Sequence, residues 1–222
     1  TPNQLDLQAL LDKLDSYIEL VIDTQKRIVV VDDGNLFPLD LLSMAVSNRT
    51  IQVIEGFRQA TESGNMLVSL PLVRLHIDTL LRWYATTLVE NPHETSSKIL
   101  KGAQLRDITD KLGNKLTDGY LVQKYSKYFA QLKTVYNSTS GYIHLSDKHM
   151  LAPVTSVDLT GEVTWQISRT NKDDARTYSG KIESTLCMIE ITEHIIHLLN
   201  SWAEQKNSTN RNDNSESTPS PA

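Results

Sequence analysis

Met66-Leu-Val-Ser-Leu-Pro-Leu-Val-Arg-Leu-His-Ile-Asp-Thr-Leu-Leu-Arg-Trp-Tyr-Ala-Thr-Thr-Leu-Val89 is apolar around almost its whole helical circumference. Leu67, Leu72, Val73, Leu75, Ile77, Leu80, Leu81, Trp83, Tyr84 and Leu88 leave no polar stripe of ordinary width. A helix of that kind is central and surrounded by other helices. Arg74, His76, Asp78 and Arg82 fall inside it, which argues against a bilayer span. Pro71 should either kink the helix or mark its true start.

Helices are expected on both sides of this segment. Upstream, residues 4–32 repeat apolar side chains at three- and four-residue steps through Leu7, Leu11, Leu14, Ile18 and Val21, until Asp32-Asp33-Gly34-Asn35 stops them. A second helix runs from Pro38 and Asp40 to about Ala60. Downstream, residues 94–115 read as short helices broken by Gly102 and Gly113, and one longer helix is expected over 118–138. That longer helix carries a core stripe of Tyr125, Tyr128, Phe129, Leu132 and Tyr136.

The period then changes from helical to alternating. Two β-prone runs across Thr160-Gly161-Glu162 predict a hairpin near 153–168. A lone hairpin is marginal in water, so it must lean on the helices or pair with another chain. A last helix spans 175–206, and the composition from Asn207 to residue 222 predicts a disordered tail. The expectation is one mainly α domain over 1–206, an up-and-down helical bundle with an inserted β-hairpin.

Composition narrows the function classes. The 222 residues are 39% apolar and 22% charged with a single Cys, too apolar for a disordered chain and unable to form an internal disulfide. A cytoplasmic protein without membrane association is expected. The net charge of −5 conceals a middle third, residues 98–148, with nine basic and four acidic residues. Such a face can attract an anionic partner, although the whole chain lacks the basic excess of a general nucleic-acid protein. Phosphate-binding Gly-rich loops, the dinucleotide fingerprint and the Gly-x-Ser-x-Gly elbow are all missing. No cofactor is implied.

Three groups could carry chemistry. Arg74, Asp78 and Arg82 sit four apart on one helical stripe, either as a structural ion network or as a polar pocket for an anion such as phosphate. Asn137-Ser-Thr-Ser-Gly-Tyr-Ile-His-Leu-Ser-Asp-Lys-His149 gathers His144, Ser146, Asp147 and His149 after a Gly, with His144 suited to acid–base work or to holding helix ends together. Their spacing does not suit a shared metal. Glu190, Glu193, His194 and His197 permit a metal in principle, but surface ion pairing is the better expectation. Cys187, among Leu186, Met188 and Ile189, reads as a small buried residue.

Leu72-Val-Arg-Leu-His-Ile-Asp-Thr-Leu-Leu-Arg-Trp-Tyr-Ala85 and Ser140-Gly-Tyr-Ile-His-Leu-Ser-Asp-Lys-His149 resemble uncharacterised bacterial helical proteins grouped with the HEPN superfamily, abortive-infection members included. The similarity covers about residues 66–150. It implies a helical bundle, often a homodimer, acting in phage defence, in toxin–antitoxin pairs, in RNA cleavage or in nucleotide binding. The family's nuclease motif is Arg, four to six residues, then His. Its His maps onto His144, but Asn137, Ser138 and Thr139 stand where the Arg should be, so the motif is degenerate. A cation beside the base is needed to steady phosphorane charge, and here it could come only from elsewhere in the chain, such as Arg74 or Arg82.

The expected function is therefore binding of RNA, a nucleotide or a partner protein. The expected site joins Arg74, Asp78, Arg82 and His144, with Asn137, Ser146 and His149 beside them and no metal. A metal-independent ribonuclease using His144 and a purely structural interaction module are the alternatives.

Overall fold

The computed structural model describes residues 6–143, 154–168 and 175–216, except the side chains of residues 176 and 209–216. α1 (Leu7–Val30) begins at Asp6, whose carboxylate accepts the Gln8 amide at 3.0 Å. It buries Leu11, Leu14, Val21 and Ile28. Asp32, Asp33 and Gly34 then take positive φ in succession and turn the chain. Asp tolerates the left-handed region better than most residues, and Gly does so freely. α2 (Pro38–Glu62) starts on Pro38, with Asp40 accepting the Phe37 amide at 2.9 Å. α3 (Met66–Ala85) buries Val73, Ile77, Leu80, Leu81 and Trp83, as its all-round apolar sequence requires. Pro71 lies inside α3 rather than at its start.

α4 (Pro92–Leu100) packs on α2. The single helix expected over 118–138 is corrected to two, α5 (Asp118–Tyr125) and α6 (Leu132–Ser140), both packed on α3. The Ser126 hydroxyl donates to the Val122 carbonyl at 2.7 Å, and a tight turn follows in which the Tyr128 amide reaches the Tyr125 carbonyl. The break keeps Tyr125, Phe129 and Leu132 in the core and turns Tyr128 outward. One uninterrupted stripe could not do both.

β1 (Val154–Val157) and β2 (Val163–Trp165) form the expected hairpin. Val154 faces Trp165, Ser156 faces Thr164 and Val157 faces Val163, with a bulge between Val154 and Ser156. The bulge resets the alternation, so Val154, Val157, Val163 and Trp165 share one face and Ser156 and Thr164 the other.

α7 (Ala175–Glu216) closes the bundle against α1 and α3. It runs past the boundary expected at 206, since each residue added to an established helix gains one backbone bond. Residues 217–222 lie outside the described residues. Leu7 meets Tyr178, Tyr17 meets Glu193 and Ile28 meets Lys206, so α7 is parallel to α1. The first three long helices alternate in direction, and the excursion through α4–α6 and the hairpin returns α7 alongside α1 and α3. Among the described residues no helix is long and apolar enough to cross a membrane.

Candidate functional site

Arg74, Asp78 and Arg82 do share a stripe of α3, and two residues from other helices complete it. Arg49 of α2 reaches Asp78 at 3.3 Å, Arg82 reaches Asp78 at 3.0 Å and Asp118 at 3.1 Å, and Arg74 reaches Asp118 at 3.6 Å. The sign alternates along Arg49–Asp78–Arg82–Asp118–Arg74, leaving one positive charge in excess. Asp118 is placed by its helix, which begins there behind the Thr117 N-cap.

The three arginines differ in commitment. The Arg74 side chain is only 11% exposed and lies 3.9 Å from the centroid of the Tyr136 ring of α6, a cation–π contact that fixes it as a structural strut. Arg82 and Arg49 are 38% and 43% exposed and turn their outer edges to water. An anion could meet the network at that edge. Asn137 follows Tyr136 on α6 and is exposed. His144, Ser146 and His149 lie outside the described residues, so their expected meeting with Arg74, Asp78 and Arg82 has no described geometry.

The histidine inside the same stretch of α3 is occupied elsewhere. His76 is fully buried, with Nε2 2.8 Å from Thr192 Oγ1 of α7. Because the Thr192 hydroxyl donates to the Met188 carbonyl, it accepts from His76 Nε2–H. Burial pushes His76 down to about 3, with Arg49 adding to the effect. His76 is thus a neutral core hydrogen-bond donor and no acid–base group for the surface network.

A second feature continues from the far end of α5. Lys124 Nζ lies 5.4 Å from the Tyr120 ring centroid and Lys127 Nζ lies 4.6 Å from that of Tyr128, itself 58% exposed. Tyr84, Tyr125 and Tyr128 pack edge to face behind them. From Asp118 to Lys124 is six helical steps, so the arginine network and this lysine–tyrosine edge lie roughly 9 Å apart along one helix. The Tyr120 hydroxyl donates to Asp110, whose carboxylate also accepts the Leu112 and Asn114 amides. Those donors hold Asp110 down at about 2 and tie the preceding turn to α5.

The Glu190–His197 group is dispersed. Glu193 pairs with Tyr17 and Lys13 of α1, while His194 sits between Tyr125 and Phe129, its Nδ1 3.1 Å from the Tyr125 hydroxyl. Among the described residues no cluster of three His, Cys, Asp or Glu side chains could hold a metal. An apolar groove of about 380 Å³ lies between α1 and α2, on the side of α2 away from α3.

Sequence spacing could not reveal Arg49 or Asp118, because both join the network only through tertiary packing. Another charged pair, Lys206 with Asp40, was missed although it left a signal: Leu199, Trp202 and Lys206 fall on one face of the last helix. Lys206 Nζ donates to Asp40 at 2.9 Å and to the Asn35 and Ile28 carbonyls at 2.8 and 3.1 Å.

The sequence matches no protein-family model, and it has no significant match among curated proteins or solved structures.

Proposed function

We propose that this chain is a HEPN-like, non-catalytic module that binds single-stranded RNA along α5. The observation that carries the reading is Tyr128, a solvent-facing aromatic ring with Lys127 stacked on it. A nucleic-acid base stacks on such a ring whatever its sequence, and neighbouring lysines take the phosphates. Surplus positive charge at Arg49 and Arg82 lies toward the other end of α5, against α3. An extended polyanion suits an exposed surface feature of this kind better than a mononucleotide, which needs a concave site. Catalysis is left out of the reading because the motif is degenerate: Asn137 stands where the cation that would steady the phosphorane charge is expected. A setting in phage defence or a toxin–antitoxin pair rests on the HEPN resemblance alone.

Anisotropy of a labelled single-stranded RNA across a salt series tests the reading. Lys124→Glu with Lys127→Glu should reduce affinity and flatten the salt slope by roughly 1.4, two contacts at about 0.7 each. Tyr128→Ala should weaken binding by roughly 1–3 kcal/mol with little change of slope. Wild-type protein that fails to bind, or variants that bind equally well, would remove the proposal. Cleavage of an RNA pool in EDTA, lost in His144→Ala, would establish the ribonuclease alternative instead.

The alternation of charges along Arg49–Asp78–Arg82–Asp118–Arg74 favours a second reading of that network, as a clamp joining α2, α3 and α5. In that case Arg82→Ala lowers stability and leaves RNA affinity untouched.

A further inference from the structure

Among the described residues, two apolar surfaces have no partner within the chain. The first is the hairpin face, on which Val157 and Trp165 are each 63% exposed. Ile167, two residues beyond Trp165 and 82% exposed, extends it, and Leu159 at the turn is wholly exposed. The opposite face, Ser156 and Thr164, is polar, so the hairpin is amphipathic with its apolar side toward solvent. A soluble domain does not ordinarily present such a ridge unless something covers it.

The second surface is the groove between α1 and α2, walled by Ile22, Val29, Val30, Met44 and Ile51. No hairpin residue lines it. α7, into which the hairpin's chain continues, begins near Leu7, whereas the groove begins at Ile22, roughly 22 Å farther along α1.

We propose that the hairpin of one copy seats its Val157–Trp165 face in the α1–α2 groove of a second copy, each giving and receiving a hairpin across a two-fold axis. The charges choose this occupant. The hairpin's charged residues are Asp158 and Glu162, with no basic residue between 154 and 168. Two such hairpins facing each other would repel, and anionic lipid or RNA would repel either one. The charged side chain lining the groove is the opposite sign, Lys26. Its partner within the chain is Asp23 at 3.0 Å, an exposed contact that is readily exchanged. Ridge meets groove, apolar meets apolar, and acid meets base at the rim. A reciprocal contact is also self-complementary, which a closed dimer demands.

Sedimentation equilibrium of the full chain without RNA tests the interface separately from RNA binding, so neither result decides the other. The wild type should dimerise. Trp165→Ser should weaken association about thirtyfold or more, as expected for a buried tryptophan anchor. Val30→Glu, at a position already 69% exposed and therefore safe for folding, should do the same from the groove side. Lys26→Glu and Glu162→Lys should each weaken the dimer, and the two combined in one chain should restore it. Acrylamide quenching of Trp165, read in a Trp83→Phe, Trp202→Phe background that keeps its circular dichroism, should fall as concentration rises. A wild type that stays monomeric at every concentration overturns the proposal. So does a dimer indifferent to Trp165→Ser or to Val30→Glu, which would place the contact elsewhere.

Discussion

The ammonium of Lys206 and the carboxylate of Asp40 lie 2.9 Å apart, with Asp40 wholly buried and Lys206 nearly so. Every proton of the ammonium has a partner: Asp40 and the carbonyls of Ile28 and Asn35. Asp40 in turn accepts the Trp202 indole N–H at 2.8 Å and the Phe37 amide. One side chain of α7 thereby fixes the end of α1, the left-handed turn after it and the start of α2.

Removing one partner should therefore be severe. Lys206→Ala strands a buried carboxylate and two carbonyls, and should cost about 3–5 kcal/mol in urea denaturation at neutral pH. A loss below about 1 kcal/mol would mean that water enters and replaces the ammonium.

Acid should destabilise the fold through His76. Its folded value, about 3, lies below the value of about 6.5 in the unfolded chain, so the unfolded state binds the proton first. The neutral-His contribution is complete above pH 6.5 and is lost as pH falls toward 3. Between pH 7 and pH 5 the wild type should lose about 2 kcal/mol more than His76→Gln. Parallel pH curves for the two proteins would contradict this account.

The Arg82–Asp118 contact should be modest despite its good geometry. Both side chains are more than a third exposed, so a double-mutant cycle should return a coupling of roughly 0.5–1 kcal/mol, shrinking as salt is added. A coupling several times larger would show that the network behaves as a buried one.

Cys187 should be slow to react. Burial, then Glu190 and Glu183, push its thiol up to about 11. At pH 8 that leaves on the order of one thiolate per thousand molecules. Iodoacetamide should label the native protein roughly 100-fold more slowly than the urea-unfolded chain, and equal rates would refute it.

The helices were legible in the sequence because apolar spacing alone locates them. Met66–Val89 announced a central helix by lacking a polar face, and α3 is buried on that account. The hairpin was legible from its change of period. The break between α5 and α6 was not, because Tyr125, Tyr128, Phe129 and Tyr136 keep helical spacing straight through it, and only a serine side chain and a local turn divide them. The α3 stripe of the candidate site could be read from steps of four. Its other members come from α2 and α5, and no spacing within one helix carries that information. Tyr128 was expected in the core, and the same break that separates the two helices brings it to the surface.

The parallel docking of α7 beside α1 has a consequence in time. α1 is made well before its partners Tyr178, Glu193 and Lys206, which follow 171, 176 and 178 positions after the residues they meet. While the chain is being synthesised, α1, α2 and α3 can only form an open three-walled trough, with Tyr17 and His76 facing a missing neighbour. The trough cannot shut until most of α7 has left the ribosome. Until then these three helices expose the faces that α7 will cover, and a chaperone would find them most receptive just before that helix arrives.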